Sequence, residues 1–440
     1  MLLFIKSISL QALNNFHKKS KPPSTYYIFM TQGKCRFCKT SLKHTFVDLG
    51  MSPLSNSYLK LEQLNKAEKF YPLHAYVCEQ CLLVQLEEFE SPDHIFSDYA
   101  YFSSYSDSWL DHAKQYTSLM IDKFGFNESS QIIEIASNDG YLLQFFQEQN
   151  IPVLGIEPAA NVAQVAEAKG ISTLVKFFGV ETAQDLLEQG KASDLLLGNN
   201  VLAHVPDIND FVAGMKIILK PEGIITMEFP HLLQLINQDQ FDTIYHEHFS
   251  YLSFTTVEKI FAYHGLTLFD VDELSTHGGS LRIYGKHDRN QKLAVSDRIA
   301  LLKVKEQKAG LDSVEAYLQF SDRVMSTKRK LLSFLIELKD AGKTIVGYGA
   351  PAKGNTLLNY CGIRTDLLDY TCDRSPHKQG LFLPGTHIPI YHPDKIAETN
   401  PDYVLILPWT LKGEIRSQLS YIRDWGGKFV VPIPEVEVLG

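Results

Sequence analysis

Two C-x2-C pairs near the start of the chain constrain the fold most strongly: Cys35 with Cys38, and Cys78 with Cys81. Four thiolates at this spacing can close a tetrahedron around one Zn²⁺. The insert between the pairs is long, so the metal would join two distant segments of the chain. We therefore predict a zinc-binding domain over residues 32–92, whose small core depends on the metal for stability.

Length, charge and cysteine usage limit the broad class. At roughly 150 residues per domain, a chain of 440 residues suggests about three domains. The net charge of −9 argues against a nucleic-acid partner. The sequence lacks an apolar run of the ~18 residues that a membrane span needs. Zinc-type cysteine spacing indicates a reducing compartment, so we expect a cytoplasmic protein with no membrane partner.

The segment before the first cysteine pair reads as a leader. Its short apolar stretch is interrupted by Lys6, and a small-residue cleavage site does not follow, so a secretory signal is not predicted. We expect residues 1–31 to be a disordered leader. The second methionine, Met30, is compatible with an upstream translation extension.

Strand and helix signals alternate from residue 131 onward. Short apolar runs at 131–136, 153–157, 194–198 and 223–229 read as buried strands, with helical patterns between them. This alternation indicates an α/β fold with a parallel sheet and helices on both faces. We assign residues 93–290 to a Rossmann-like domain of this kind.

A second, smaller α/β unit is expected at the C-terminal end. A helical stretch at roughly 296–340 precedes a strand, a glycine-rich turn and a helix at 344–360, and further strands follow. We predict that residues 291–440 form a helical linker and a second Rossmann-like domain.

The first candidate site is the polar turn after the strand at 131–136. Ligands bind at the carboxyl ends of parallel strands. This turn lacks the G-x-G-x-x-G of a dinucleotide site, which a cofactor with a ribose but no phosphate, such as S-adenosylmethionine, does not need. The predicted cofactor-binding residues are Glu134, Ala136, Asn138, Asp139, Gly140, Glu157, Asn199, Asn200 and His204. The alternative is that Asn138 and Asp139 only cap the next helix.

The second candidate site is the loop at 241–251, near the same edge of the sheet. Tyr245, His246, Glu247 and His248 concentrate groups that can move protons. Two alternatives remain: a metal site on the two histidines, for which a third ligand is not obvious, and a polar loop with one buried histidine.

A series of motifs resembles the C-3′-methyltransferases of nucleotide-linked deoxysugars. Besides the cysteine pairs, the motifs are E-I-A-S-N-D-G, G-I-E-P, N-N-V-L-A-H-V-P-D, Y-H-E-H-F-S-Y, H-G-G-S-L-R, G-Y-G-A-P-A-K-G-N-T and C-D-R-S-P-H-K-Q-G. The resemblance runs from about Cys35 to near the C-terminus. It implies an S-adenosylmethionine-dependent class I methyltransferase with a structural zinc, acting on a dTDP- or other NDP-linked 4-keto-deoxysugar at C-3′.

The resemblance also implies roles for individual residues. A base removes the proton beside the ketone, and the enolate takes the methyl group; His248 is the implied base, with Tyr245 and Glu247 as helpers. The segment at 99–105 is expected to form a substrate lid held by the zinc domain, and the turn around Lys353 to cradle a pyrophosphate. The predicted substrate-binding residues are Tyr99, Tyr101, His246, Arg282, Gly349, Lys353, Asn355, Asp373 and Arg374.

Several alternatives stay open at this point. The segment at 99–105 could be a packed connector, and the C-terminal domain could be purely architectural. The whole chain could be an NAD-dependent nucleotide-sugar oxidoreductase or epimerase, or a zinc-containing nucleic-acid methyltransferase. We expect a monomer or weak homodimer, and the sugar, the nucleotide and the methylated carbon are undetermined by the sequence.

Overall fold

A computed structural model describes residues 33–91 and 102–440 of the chain. The predicted leader, and Tyr99 and Tyr101 of the predicted lid segment, lie outside these residues.

The elements of the described ranges are numbered in chain order. The strands are β1 His44–Ser52, β2 Tyr71–Val77, β3 Val84–Leu86, β4 Ile132–Ile135, β5 Val153–Ile156, β6 Thr173–Leu174, β7 Ser193–Asn199, β8 Leu219–Pro230, β9 Ser250–Tyr251, β10 Leu266–Leu274, β11 Ser280–His287, β12 Ile345–Tyr348, β13 Thr371–Cys372, β14 Ile390–Tyr391, β15 Tyr403–Ile406, β16 Lys428–Val431 and β17 Glu437–Leu439. The α-helices are α1 Asp107–Phe124, α2 Leu143–Gln147, α3 Ala160–Ala168, α4 Val180–Glu188, α5 Ile208–Ile218, α6 Leu232–Asn237, α7 Phe254–Tyr263, α8 Asp297–Lys308, α9 Val314–Leu318, α10 Phe320–Asp340, α11 Ala352–Cys361, α12 Asp394–Thr399 and α13 Lys412–Gln418. Within the described ranges, the helices are too short or too polar to cross a membrane.

The cysteine pairs belong to a four-stranded antiparallel sheet in the order β1-β2-β3-β9. Strand β9 comes from far along the chain: Tyr251 pairs with Val84, and Ser250 pairs with Gln85. The loop that carries the predicted catalytic residues leads directly into β9. The zinc-binding part therefore shares a sheet with that loop, which the sequence did not predict.

The central sheet has seven strands in the order β10-β11-β8-β7-β4-β5-β6. Strands β4 to β8 run parallel, and β11 inserts antiparallel between β8 and β10. All four residues of β4 are buried, because helices cover both faces of the sheet. The winding reverses between β4 and β7, which opens a crevice at the carboxyl ends of these strands.

The C-terminal sheet has six strands in the order β14-β13-β12-β15-β16-β17. Every neighbouring pair is parallel except β16 with β17. The doubly wound order places another crevice beside the glycine turn between β12 and α11. Gly349 in this turn has φ +90°, and a Cβ there would lie 2.4 Å from Pro408 Cδ, so a side chain does not fit.

The predicted helical stretch at 296–340 consists of three helices, α8, α9 and α10. The chain breaks after α8 at Gly310, whose φ of +79° an α-helix does not accommodate. Helix α8 packs Ile299 and Leu302 into the core of the seven-stranded sheet. Helix α10 stacks Phe320 on Phe46 of β1, with ring centroids 4.6 Å apart. The stretch therefore packs against the seven-stranded sheet and against β1 rather than acting as a simple linker.

Candidate active site

The four cysteines of the two pairs come together. Their sulfur atoms all lie within 4.8 Å of one another. Cys35 Sγ is 3.5 Å from Cys81 Sγ, and Cys38 Sγ is 3.4 Å from Cys78 Sγ. Tetrahedral zinc with Zn–S bonds of about 2.3 Å needs sulfur atoms about 3.8 Å apart. The cluster therefore fits one Zn²⁺ bound by four thiolates, which leaves no open position on the metal for catalysis.

Each cysteine pair sits on a tight turn. Lys39 and Leu82, the residues after the second cysteine of each pair, have φ values of +62° and +66°. Their amides donate to the carbonyls of Cys35 and Cys78, both at 2.9 Å. These turns direct the two sulfurs of a pair toward the same point.

Arg36, inside the first pair, connects its cysteine turn to the central part of the chain. Its guanidinium donates to the Pro206 carbonyl and, at 2.5 Å, to the Leu86 carbonyl. It also lies over the Phe249 ring, 5.3 Å from the centroid. Pro206 and Phe249 belong to the two loops that carry predicted site residues, so the zinc turn contacts both.

A cavity of about 880 Å³ lies where the three parts of the chain meet. The zinc-binding part contributes residues 54–58, the central sheet contributes the turns after β4, β5 and β7, and the C-terminal part contributes the turn before α11. The predicted site residues that line it are Ala136, Asn138, Glu157, Asn199, Asn200, His204, Tyr245, His246, Glu247, His248 and Lys353.

The turn after β4 is joined to the end of β5 by hydrogen bonds. The Asn138 amide donates to Glu157 Oε2 at 3.0 Å, and the Ala159 amide donates to Glu157 Oε1 at 2.9 Å. Burial raises the pKa of Glu157, and these two amides oppose that shift. The Asn138 side chain accepts from the Ser103 amide at 2.9 Å, which fixes the chain before α1 against the turn.

Glu134, Asp139 and Gly140 lie behind the cavity wall. Glu134 is fully buried, and its pKa is raised well above the usual value by burial and by the nearby Glu157 and Asp139. A Cβ on Gly140 would lie 2.4 Å from Ile171 Cδ1, so glycine is needed there for packing.

The turn after β7 positions its side chains through a strained residue. Asn200 has φ +58°, and its Nδ2 lies 3.0 Å from His277 Nε2. Asn199 Nδ2 lies 3.4 Å from the Tyr141 hydroxyl. His204 reaches the loop at 241–251, and its ring lies edge-on to His248 with centroids 4.6 Å apart. Burial lowers the pKa of His204 to about 4.

The His248 ring is held by one hydrogen bond at each nitrogen. Nδ1 lies 2.9 Å from the Thr243 carbonyl, and Nε2 lies 2.7 Å from the Tyr245 hydroxyl. A carbonyl only accepts, so Nδ1 carries the proton, and Nε2 presents its lone pair to the tyrosine. Burial, reinforced by His204, lowers the pKa of His248 well below its usual value. The imidazole is therefore neutral near pH 7.

Glu247 and His246 contact the zinc-binding part. Glu247 Oε1 accepts from Asn56 Nδ2 at 2.6 Å, and burial raises the pKa of this carboxyl to about 7. His246 Nε2 donates to the Pro72 carbonyl at 3.2 Å. A metal-ligating role for His246 and His248 is not supported, because within the described residues the cysteine cluster alone has the geometry of a metal site.

The C-terminal part contributes two lysines to the cavity. Lys378 donates to the Ala350 carbonyl at 2.9 Å and lies near Tyr58, whose hydroxyl donates to the same carbonyl. Lys353 has no hydrogen-bond or ion-pair partner among the described residues. Burial lowers the pKa of Lys353, and Asp242 opposes that shift. Asp242 is itself tied to the C-terminal part by Trp409 Nε1, 2.7 Å from Oδ2.

Five predicted substrate-binding residues lie outside the cavity lining. Arg282 pairs with the buried Glu228, its Nε donating to Oε1 at 2.7 Å. Asn355 Nδ2 donates to the Ser55 carbonyl at 2.5 Å, and Asp373 accepts from the Ala350 amide at 2.7 Å. Gly349 shapes its turn, and Arg374 is exposed near Glu414.

The cavity also contains residues that were not predicted: Asn56, Tyr58, Trp109, His277 and Lys378. Trp109 stacks on His112 and meets His277 edge-on, with centroids 5.2 Å apart. His277 belongs to a motif noted in the sequence, H-G-G-S-L-R, where only Arg282 was selected. Lys378 likewise lies in C-D-R-S-P-H-K-Q-G. For Asn56, Tyr58 and Trp109 the sequence contained no comparable signal.

The fold and the cavity are those of an S-adenosylmethionine-dependent methyltransferase. A zinc-binding domain precedes the methyltransferase domain in the sequence, and a second α/β domain follows it. Residues 35–96 match a family described as a zinc binding domain, residues 109–271 a methyltransferase domain, and residues 275–434 a C-methyltransferase C-terminal domain.

A relative that matches over nearly its whole length gives the same class. The C-methyltransferase NovU of Streptomyces niveus is 33% identical over 412 residues, covering 92% of this chain and 96% of that protein. A ubiquinone biosynthesis O-methyltransferase of Chelativorans sp. is 29% identical over 99 residues, covering 22% of this chain and 39% of that protein. A crystal structure of an S-adenosylmethionine-dependent methyltransferase from Mesorhizobium loti covers 40% of this chain and all of that chain, with 13% identity and a TM-score of 0.33. The chain belongs to the C-methyltransferase family that includes NovU.

The donor groups of the cavity fit S-adenosylmethionine. The crevice carries an acidic residue at the end of β5, where ribose hydroxyls bind in such sheets, and the turn after β4 has no phosphate cradle. When bound, this cofactor supplies an electrophilic methyl group. Glu157 would hold the ribose, and Asn138 and Asn199 are placed along the same wall.

Proposed function

We propose that the chain is a C-methyltransferase acting on an NDP-linked 4-keto-deoxysugar at C-3′. The observation that carries this proposal is the arrangement of one cavity. One wall consists of the turns after β4, β5 and β7, which suit the cofactor, and a second wall carries Lys353 and Lys378. The lining also includes the neutral His248, whose Nε2 faces the Tyr245 hydroxyl. The motif resemblance supports the sugar and the carbon, and the family membership supports C-methylation over the oxidoreductase and nucleic-acid alternatives.

His248 is the proton acceptor in this proposal. Its Nδ1–H is held by the Thr243 carbonyl, so only Nε2 can take a proton from the carbon beside the ketone. The Tyr245 hydroxyl is bonded to Nε2, and it turns from donor to acceptor once that nitrogen is protonated. Substrate and cofactor that fill this cavity would displace its water, which would keep the carbanion available for the methyl group.

The C-terminal wall suits a diphosphate. Lys353 lies in the first turn of α11, whose N-terminus carries partial positive charge, and Lys378 lies across the same wall. Lys353 has no anion partner within the described residues other than the nearby Asp242. An anionic ligand would supply one.

Proton exchange tests the proposal without requiring methyl transfer. The full-length protein is incubated in D₂O with S-adenosylhomocysteine and a series of dTDP-, UDP- and GDP-linked 4-keto-6-deoxysugars. We expect one of them to gain deuterium beside the ketone, and the same sugar to be methylated at that carbon when S-adenosylmethionine is present.

The matched control is the corresponding 4-hydroxy sugar, which has no acidified carbon and should exchange no proton. Product NMR identifies the methylated carbon. Failure of every 4-keto sugar to exchange or to be methylated would exclude the proposed substrate class.

A further inference from the structure

A side chain of the zinc-binding part contacts the catalytic loop inside the cavity. Asn56 Nδ2 donates to Glu247 Oε1 at 2.6 Å, and both residues line the cavity. Glu247 is only 5% exposed, so this bond matters more than a surface contact would. The two residues are 191 positions apart in the sequence.

Asn56 is itself held in place from several directions. The adjacent Ser55 carbonyl accepts from Asn355 of α11 at 2.5 Å. The Tyr58 hydroxyl lies 3.4 Å from Asn56 Oδ1, so the amide oxygen faces the tyrosine and the amide nitrogen faces Glu247. The segment at 54–58 is therefore fixed between the catalytic loop and the C-terminal part.

We propose that Asn56 is a positioning residue that holds the Glu247 side chain in place against the cavity and favours its ionised form. This inference rests on the proposed function for its catalytic meaning, but not for its physical test. It gives the zinc-binding part a direct contact with the catalytic loop. The sequence predicts a different role for this part, namely to hold the segment at 99–105.

The electrostatic surroundings of Glu247 leave Asn56 as its direct stabilising partner. Burial raises the pKa of Glu247 to about 7, and the Asn56 hydrogen bond opposes that shift. The other titratable groups facing this region are Tyr58 from the zinc-binding part, His204, whose ring contacts the Glu247 backbone, and the neighbouring His246 and His248. The cationic groups that line the cavity are Lys353 and Lys378 of the C-terminal part and Lys176, which follows β6.

The test measures the protonation of Glu247 directly. In the full-length zinc-loaded protein labelled with ¹³C-carboxyl glutamate, the Glu247 resonance is assigned by its absence from Glu247→Gln. Asn56→Asp keeps the shape but replaces the donor with an acceptor. Asn56→Leu removes the amide altogether.

Both variants should raise the midpoint of the Glu247 titration by about one to two pH units, because a hydrogen bond to a charged group is lost. The matched control is Asn65→Asp, the same substitution at an exposed position of the same part, which should leave the midpoint unchanged. Zinc content and S-adenosylmethionine affinity confirm that each variant is folded.

The outcomes separate this inference from the proposed function. If the midpoint stays at the wild-type value in both Asn56 variants, Asn56 does not hold the carboxylate and the inference is wrong. If the midpoint rises, the inference holds, even if wild-type protein acts on no 4-keto sugar and the proposed function fails. Where turnover is seen, the limb of the kcat/KM profile that reports Glu247 should move by the same amount.

Discussion

The hydrogen bond between Tyr245 and His248 allows a quantitative prediction. In the resting protein the hydroxyl donates to Nε2 at 2.7 Å. Once His248 has taken the substrate proton, Nε2–H donates to the tyrosine oxygen, and this bond carries a full positive charge on the donor. Bonds to charged groups are worth about 1.5–3 kcal/mol, and each 1.36 kcal/mol is a factor of ten in rate. The neutral bond of the resting protein, worth about 0.5–1.5 kcal/mol, is lost in the same variant, so only the difference of about 1–1.5 kcal/mol affects the rate. Tyr245→Phe should therefore slow proton removal by about 5- to 12-fold.

His248→Gln should slow proton removal more than Tyr245→Phe does, and it serves as the reference for that variant. It removes the proton acceptor itself, which should cost about 10²–10⁴ in rate. Both variants should keep their affinity for S-adenosylmethionine, because the proposed cofactor-binding residues lie on the turns after β4, β5 and β7. The assay is deuterium uptake beside the ketone in the presence of S-adenosylhomocysteine, followed by mass spectrometry, with calorimetry for cofactor binding.

The matched control is Tyr263→Phe, which removes the same hydroxyl from an exposed position on α7. It should leave the exchange rate unchanged. If Tyr245→Phe exchanges at the wild-type rate, the charged form of this bond does not assist proton removal. If it falls as far as His248→Gln, the tyrosine oxygen itself is the obligatory proton carrier and the assignment of His248 is wrong.

Two further predictions concern the metal and pH. Removing zinc with a chelator should release Arg36 from its contacts and break the pairing between β3 and β9. Residues 246–252 should then lose protection from amide hydrogen exchange and turnover should stop, while β12 stays protected. Unchanged protection at 246–252 would contradict this coupling. Burial lowers the pKa of His204 from 6.5 to about 4. Between these pH values the unfolded chain is protonated at this residue and the folded chain is not, so the free energy of unfolding decreases as the pH falls from 6.5 to 4. The full shift corresponds to about 3 kcal/mol, reduced to about 1–2 kcal/mol because the ring faces a cavity that water can enter. In urea titrations His204→Asn should weaken the pH dependence by that amount, and an unaltered slope would refute the cause given for it.

Local sequence patterns predicted the parts of the site that lie within one turn. The cysteine pairs set their own geometry through short hydrogen-bonded turns, and the strand–turn pattern around Glu134 and Glu157 reflects the ends of adjacent parallel strands. His248 was selected as the base because its loop motif resembles that of sugar C-methyltransferases, and this role stays a prediction. In each case the chemistry depends on neighbours along the chain or on a regular sheet.

Residues that act across the parts of the chain were not predictable in this way. Arg282 and Asp373 have the charge expected of ligand contacts, but the tertiary structure uses them to satisfy Glu228 and the Ala350 amide. Asn56 carries no motif, yet it reaches the cavity because the segment at 54–58 is held between α11 and the catalytic loop.

The sequence by itself therefore determined the class of the protein, an α/β methyltransferase, and the turns that carry its four clustered cysteines. Only the tertiary structure decided that the zinc-binding part shares a sheet with that loop and that three parts of the chain enclose one cavity. The physical reason is that β9 pairs with β3 across more than 160 residues, and pairing at such a distance is set by the packing of the whole chain.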